Sequence, residues 1–213
     1  MTTSENWDDL AAVTALSDGV RRSAYQAVAD GGPEPVGRDE VADTLGVGRT
    51  LAAFHLDKLV DAGLLEVSYA RRTGRSGPGA GRPAKLYRVV PWEHSVSVPP
   101  RAYRDAAELL AEAVDRSGAD QVLYEVAREQ GRREPASDPA AALAERGYSP
   151  VAGEDRIELR NCPFHRLAEQ FPPLICGMNL ALVDGMVAGS GWTARMDPAP
   201  GRCCVILCKN KSD

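Results

Sequence analysis

The chain has 213 residues, 44% hydrophobic and 26% charged, with a formal net charge of -5. That length fits one large domain or two small ones with a linker, and that composition excludes wholesale disorder. No apolar run approaches the ~20 residues that a bilayer span needs. The acidic start, Met1 to Asp9, is the opposite of a secretory signal, so the expectation is a soluble protein of the cytoplasm without a membrane partner.

Asp8 to Leu16 reads as a loose first turn or arm. Ser17 to Ala29 reads as a helix, with Ser17 as N-cap, Leu16 as staple and Val20, Ala24, Ala27 and Val28 as its apolar stripe. Asp30-Gly-Gly-Pro-Glu-Pro35 stops it. Asp39 to Val47 is a second, short helix packed through Val41, Ala42 and Leu45, and Gly46 suits a turn that needs positive φ. Gly48 to Gly63 is a third, with Ala52, Leu56, Leu59 and Val60 facing inward. Leu64 to Val67 then turns into a strand, Arg71 to Pro83 is a Gly- and Arg-rich loop, and Lys85 to Val90 is the return strand.

Two helices joined by a tight turn, followed by a hairpin with a basic tip, follow the winged helix-turn-helix plan for duplex DNA. The net charge argues against nucleic acid, but its distribution matters more. Between Val67 and Val90 lie six basic residues (Arg71, Arg72, Arg75, Arg82, Lys85, Arg88) and no acid. A solvated loop is the plain reading; an acid-free Arg cluster among glycines favours phosphate contact. On the third helix Arg49 suits bidentate guanine recognition and Thr50 a phosphate or base edge. Ala53 and Phe54 suit thymine methyls, Lys58 a phosphate or plain surface role, and His55 the edge of the core. Gly77-Pro-Gly-Ala-Gly81 is no dinucleotide cradle, because it lies between strands and opens no helix.

Leu45 to Leu65, with His55-Leu56, Leu59 and Ala62-Gly63-Leu64, resembles the recognition helix and exit of ArsR-like and MarR-like winged-helix regulators. Gly81-Arg-Pro-Ala-Lys-Leu-Tyr87 resembles the wing return of a subset of them, the SufR-type regulators included. Gly48 and Ala53 stand where short polar side chains are common in those families, which puts the weight of direct readout on Arg49 and the wing.

Pro91 to Pro100 is an extended, Pro-bounded connector. Arg101 to Ser117 is a helix with Tyr103, Ala106, Leu109, Leu110, Ala113 and Val114 at a period near 3.6, and Ala119 to Gly131 a second with Val122, Leu123, Val126 and Ala127. Both are more apolar than surface helices need. A homodimer interface is one reading and packing on the C-terminal part the other. A dimer would offer two recognition helices to half-sites ~34 Å apart. Ala140 to Arg146 is a short helix, and Tyr148 to Ala152 and Arg156 to Arg160 pair around Gly153-Glu-Asp.

All five cysteines lie after residue 160. In a cytosolic chain that clustering suggests a metal, a cluster or redox chemistry before a disulfide. Cys162 precedes a short helix, Cys176 opens another, and Arg202 to Lys209, holding Cys203, Cys204 and Cys208, reads as a sheet edge. Thiolates suit iron–sulfur clusters or zinc. The spacing is not that of Cys-x-x-Cys zinc ribbons and leans towards a cluster. Buried free cysteines packing as small hydrophobes remain the plain alternative. A Cys162–His165 nucleophile pair lacks an orienting acid, so no enzyme is expected.

Asn161-Cys-Pro-Phe-His165, Cys176 and Cys203-Cys204 resemble the C-terminal half of SufR-type regulators, which hold an iron–sulfur cluster and repress cluster-assembly operons. The resemblance implies Cys162, Cys176 and one of Cys203 or Cys204 as ligands, the last two being sent to opposite faces by strand alternation. The fourth ligand stays open among His165, Cys208 and an external group, with Cys208 ~13 Å along the strand from Cys204. A zinc or thiol-redox site using Cys162, His165, Cys176 and Cys204 is the alternative.

The expectation is an α+β protein: a winged helix-turn-helix domain (1–92), linker and dimerisation helices (93–132) and a small α/β cysteine-rich sensor (133–213). It would act as a homodimeric, DNA-binding repressor controlled through its thiols.

Overall fold

A computed structural model describes residues 3–32, 34–70 and 83–210, residues 3–8 by their backbone alone. Helix and strand are mixed, as an α+β chain requires. The chain divides into two compact units, residues 1–101 and 102–213.

The first unit runs α1 (Thr3–Ala15), α2 (Gly19–Asp30), β1 (Val36–Gly37), α3 (Arg38–Leu45), α4 (Arg49–Asp61), β2 (Leu65–Ala70) and β3 (Ala84–Val89). The expected N-terminal arm is a full helix, whose Ala12 is buried in the core. Asp18 rather than Ser17 caps α2, because its extended backbone aims the carboxylate at the first turn, where it accepts the Arg21 N–H at 2.8 Å. Between α3 and α4 the chain reverses at Gly46, where φ is 65°, and the Val47 N–H donates to the Ala42 carbonyl. Ala52, Leu56 and Leu59 of α4 are fully buried, and His55 beside them is buried too. Leu56 and Leu59 form one core with Ala12, Ala24, Val28, Val41, Leu64, Leu65 and Tyr87.

The strands form an antiparallel sheet in the order β1-β3-β2. Strand β1 went unexpected because two residues carry no periodicity. Glu66 and Arg88, directly opposite in the β2–β3 register, are joined by two guanidinium hydrogen bonds of 2.6 and 2.9 Å.

The second unit comprises α5 (Tyr103–Ser117), α6 (Asp120–Arg133), α7 (Pro139–Glu145), β4 (Pro150–Ala152), β5 (Arg156–Leu159), α8 (His165–Gln170), α9 (Pro172–Met186), β6 (Trp192–Met196) and β7 (Val205–Lys209). The expected separate connector of 93–132 is therefore divided. Residues 93–101 fall in the first unit, and α5 and α6 belong to the second.

Helix α9 is apolar on most of its surface and central, as such a helix must be. It packs along α6 backbone to backbone: a methyl at Gly131 would sit 2.2 Å from the Leu182 carbonyl oxygen, and one at Gly185 2.3 Å from that of Arg128. Burial of α5 falls on Ala111, which packs with Leu174 and Ile175. Much of the expected apolar stripe points outward: Tyr103, Leu109 and Leu110 are exposed, as are Val122 and Val126 of α6.

The sheet of this unit is antiparallel in the order β4-β5-β7-β6. Arg202 to Lys209 was expected at a sheet edge. Instead β7 lies inside the sheet, because β6, which carried no legible signal beyond Trp192, covers its outer side. Cys203 and Cys204 precede β7 in a bend, so strand alternation does not govern their directions.

Candidate functional site

The bend before β7 is held at three points. The Cys203 N–H donates to the Leu159 carbonyl at 2.7 Å, at the end of β5. The Cys204 carbonyl accepts the Asp197 N–H at 2.7 Å. The Asp197 carboxylate takes guanidinium contacts from Arg156 at 2.6 Å and Arg202 at 2.9 Å, and these cations hold its pKa below the usual carboxylate range. Cys162 arrives from β5 just before α8, and Cys176 from the first turns of α9.

These four thiols meet in a row. Cys162 interacts with Cys203, Cys203 with Cys204, and Cys204 with Cys176. Cys203 is buried and the other three are half-buried. The thiols of Cys162 and then Cys204 pull Cys203 far below the usual thiol range, against its burial. Cys162 and Cys204 move upward, each first through Cys203 and then through burial. One thiolate in the middle, with proton-bearing neighbours pointing at it, is the lowest-energy sharing of charge in such a row. Among the described residues, no three His, Cys, Asp or Glu side chains are gathered as a single metal ion requires.

His165 stands apart. Its side chain is 64% exposed and its Nε2 pairs with Glu169 at 3.3 Å, one helical turn on. Cys208 lies on β7, opposite Arg156 on one side and Thr193 on the other, and joins none of the thiol contacts described above.

Two residues at the thiols were not anticipated. Asn179, buried in α9, donates from Nδ2 to Cys203 Sγ at 3.3 Å, and its Oδ1 accepts the Tyr148 hydroxyl at 2.5 Å. Tyr124 of α6 lies across Gly177, beside Cys176, and donates to the Pro173 carbonyl at 3.1 Å. The only sequence signal for Asn179 is its polarity in the otherwise apolar run Met178 to Val183.

No family model matches this chain, and no curated protein matches it.

The first unit carries the candidate nucleic-acid face. Arg49, Thr50 and Phe54 are exposed along one side of α4, and Ala53 between them is half-buried. Arg49 leans on Asp39 of α3, with Nε 3.4 Å from Oδ1. Lys58 pairs with Asp61 at 3.2 Å, and Lys85 with Asp57 at 2.5 Å. Asp57 also accepts the hydroxyl of buried Tyr87 at 2.9 Å, so α4 is tied to β3 through one carboxylate. These cations thus already have acidic partners, but exposed pairs are worth only about 0–1 kcal/mol each, and a phosphate can replace them. Arg71, Arg72, Arg75 and Arg82 lie outside the described residues.

His55 packs edge-on against Phe54, with ring centroids 5.3 Å apart. Its Nδ1 is buried without a hydrogen-bond partner, 3.8 Å from Asp18. It is a core residue rather than an edge one.

Proposed function

We propose that this chain is a DNA-binding transcriptional regulator, acting as a repressor, whose operator affinity is controlled by an iron–sulfur cluster on Cys162, Cys176, Cys203 and Cys204. The observation that carries the reading is the row of four thiols brought together from the segment after β5, α9 and the bend before β7, with Cys203 at its centre. The donor set fits: soft thiolates, partly shielded from water, with N–H donors already aimed at sulfur. A row in which each sulfur can take its own iron suits a polynuclear cluster better than one zinc ion, whose ligands must converge ~2.3 Å from a single point. When bound, such a cluster supplies an oxidisable, labile centre. Cys203 and Cys204 both serve, which removes the need for His165 or Cys208 as the fourth ligand.

The DNA-binding half rests on the tight turn between α3 and α4, the exposed Arg49–Thr50–Phe54 side of α4, and the adjoining hairpin. This is the order of a winged helix-turn-helix, with α4 as recognition helix and Arg71, Arg72, Arg75, Arg82 and Lys85 supplying wing contacts to phosphate. The exposed Tyr103, Leu109, Leu110, Val122 and Val126 support a homodimer through α5 and α6. Helix α9 carries Cys176 and touches α6 through Gly131 and Gly185, so strain at the thiols reaches that same face. Five unpaired cysteines fit a reducing cytoplasm.

Iron and sulfide analysis after anaerobic purification is the first test, with visible absorption and stoichiometric iron and sulfide expected. A colourless, iron-free chain that binds a selected duplex identically after Cys162→Ala removes the cluster from the account; stoichiometric zinc or a disulfide would then select the zinc or thiol-redox alternative. For the DNA half, Arg49→Ala should weaken binding about 10- to 100-fold, the worth of a bidentate guanine contact. Arg72→Ala with Arg82→Ala should lower the salt slope by about two. If the triple variant leaves affinity and salt slope unchanged, DNA recognition by this unit is wrong.

A further inference from the structure

The amide of Asn179 has few ways to sit. It lies on the buried side of α9 with 1% of its surface accessible, in a core otherwise built from Leu143, Leu159, Ala181, Leu182, Val183 and Leu207. A buried carboxamide without partners is strongly disfavoured, so its hydrogen bonds explain why it is there. The Tyr148 hydroxyl reaches Oδ1 at 2.5 Å and Nδ2 reaches Cys203 Sγ at 3.3 Å.

Which end faces which partner is decided by Tyr148. Burial, and after it the charge on Cys203, pushes this phenol well above its ordinary range, so it keeps its proton and donates. The oxygen of Asn179 must then face Tyr148, and the N–H must face sulfur. A second donor, the Val205 N–H, points at the same sulfur from 3.5 Å. Cys203 is the only one of the four thiols to which a side-chain amide is aimed among the described residues. Cys204, next to it in sequence, sits in the same bend without either donor.

We propose that Asn179, oriented by Tyr148, is a positioning residue that fixes the place and direction of the Cys203 sulfur within the thiol row. The inference rests on the cluster reading for its consequence and on the hydrogen-bond geometry for its existence. Two N–H donors to one ligand sulfur draw electron density from it, and a bound cluster that loses one of them becomes harder to reduce.

The test uses the full chain, with Tyr148→Phe and Asn179→Leu beside the wild type. Each is reconstituted anaerobically with ferrous iron and sulfide, and melting by circular dichroism confirms that each variant folds. Iron and sulfide content should be retained in Tyr148→Phe. The reduction midpoint should move to lower potential by about tenfold in the electron-transfer equilibrium, 59 mV for one electron, in both variants. Equal midpoints in all three chains overturn the proposal.

A second measurement needs no iron. In the metal-free, ¹⁵N-labelled chain, the Asn179 side-chain amide protons should exchange slowly, and should shift on Cys203→Ala and on Tyr148→Phe. Rapid exchange, or no shift on Cys203→Ala, overturns the proposal whatever the iron content. A protected amide in a chain that takes up no iron upholds the positioning of Cys203 and instead defeats the cluster reading.

Discussion

The contact between α6 and α9 gives the sharpest test of the second unit. Replacing Gly185 by Ala places a methyl carbon 2.3 Å from the Arg128 carbonyl oxygen and 3.1 Å from the Arg132 nitrogen. An ordinary carbon–oxygen approach is about 3.3 Å, so the helices must separate by ~1 Å. The clashing atoms are backbone, and no rotamer change relieves them. A 1 Å gap forfeits up to about half of each dispersion contact along the seam. Overpacking of this kind costs about 1–3 kcal/mol, and the upper end applies where the neighbour cannot yield. Alanine returns about 0.8–1 kcal/mol through better helix propensity.

The net loss is about 2 kcal/mol, or a fall of roughly 10 °C in Tm for a unit of this size. Gly131→Ala should behave alike, and the double variant should lose less than the sum, because both residues serve one contact. Gly19→Ala at the start of α2, where a methyl would meet nothing within 4 Å, is the control and should be neutral. Thermal unfolding followed at 222 nm measures all four. A Gly185→Ala chain melting at or above the wild type, as propensity alone would give, would refute the close helix crossing and the route from Cys176 to the α6 face.

Three further outcomes are expected. Ser at Cys162, Cys176, Cys203 or Cys204 should abolish stoichiometric iron uptake, whereas His165→Ala and Cys208→Ala should leave it intact; iron analysis of the six variants decides. Tyr87→Phe should lower the stability of the first unit by about 1 kcal/mol through the lost hydrogen bond to Asp57, measured by urea unfolding. Asp57 should show the pH signature of that same site. Burial works to raise its pKa, but hydrogen bonds from Lys85 and Tyr87 leave it below the ordinary value. A depressed folded pKa means stability present above the unfolded value of about 3.9 and lost as the pH falls through the folded one. Asp57→Asn should therefore be less stable than wild type at pH 7, with the difference shrinking below about pH 4. A difference that stays constant down to pH 2 would show that the carboxylate contributes no such stability.

Much of the fold was legible because its signals are local. The apolar spacing of Ala52, Leu56 and Leu59, the stop at Gly46 and the turn at Gly153 each report on a few neighbouring residues, and the structure has α4, the reversal and the β4–β5 pair where they indicate. Signals that depend on a distant partner failed. The stripe of α5 named apolar residues correctly but not their surroundings, since burial of that helix falls on Ala111 against α9.

By itself the sequence determined the helices after α1 and most strands, the Gly46 reversal, and that all five cysteines lie in the last quarter of the chain. Only the tertiary structure decided that Cys203 and Cys204 both join Cys162 and Cys176, that β7 is interior, and that Asn179 and Tyr148 stand behind the sulfur. The reason is physical. Residues 148, 162 and 203 and the α9 pair 176 and 179 come from four separate stretches, and their meeting depends on how β5, α9 and β7 pack. No spacing along the chain encodes that packing.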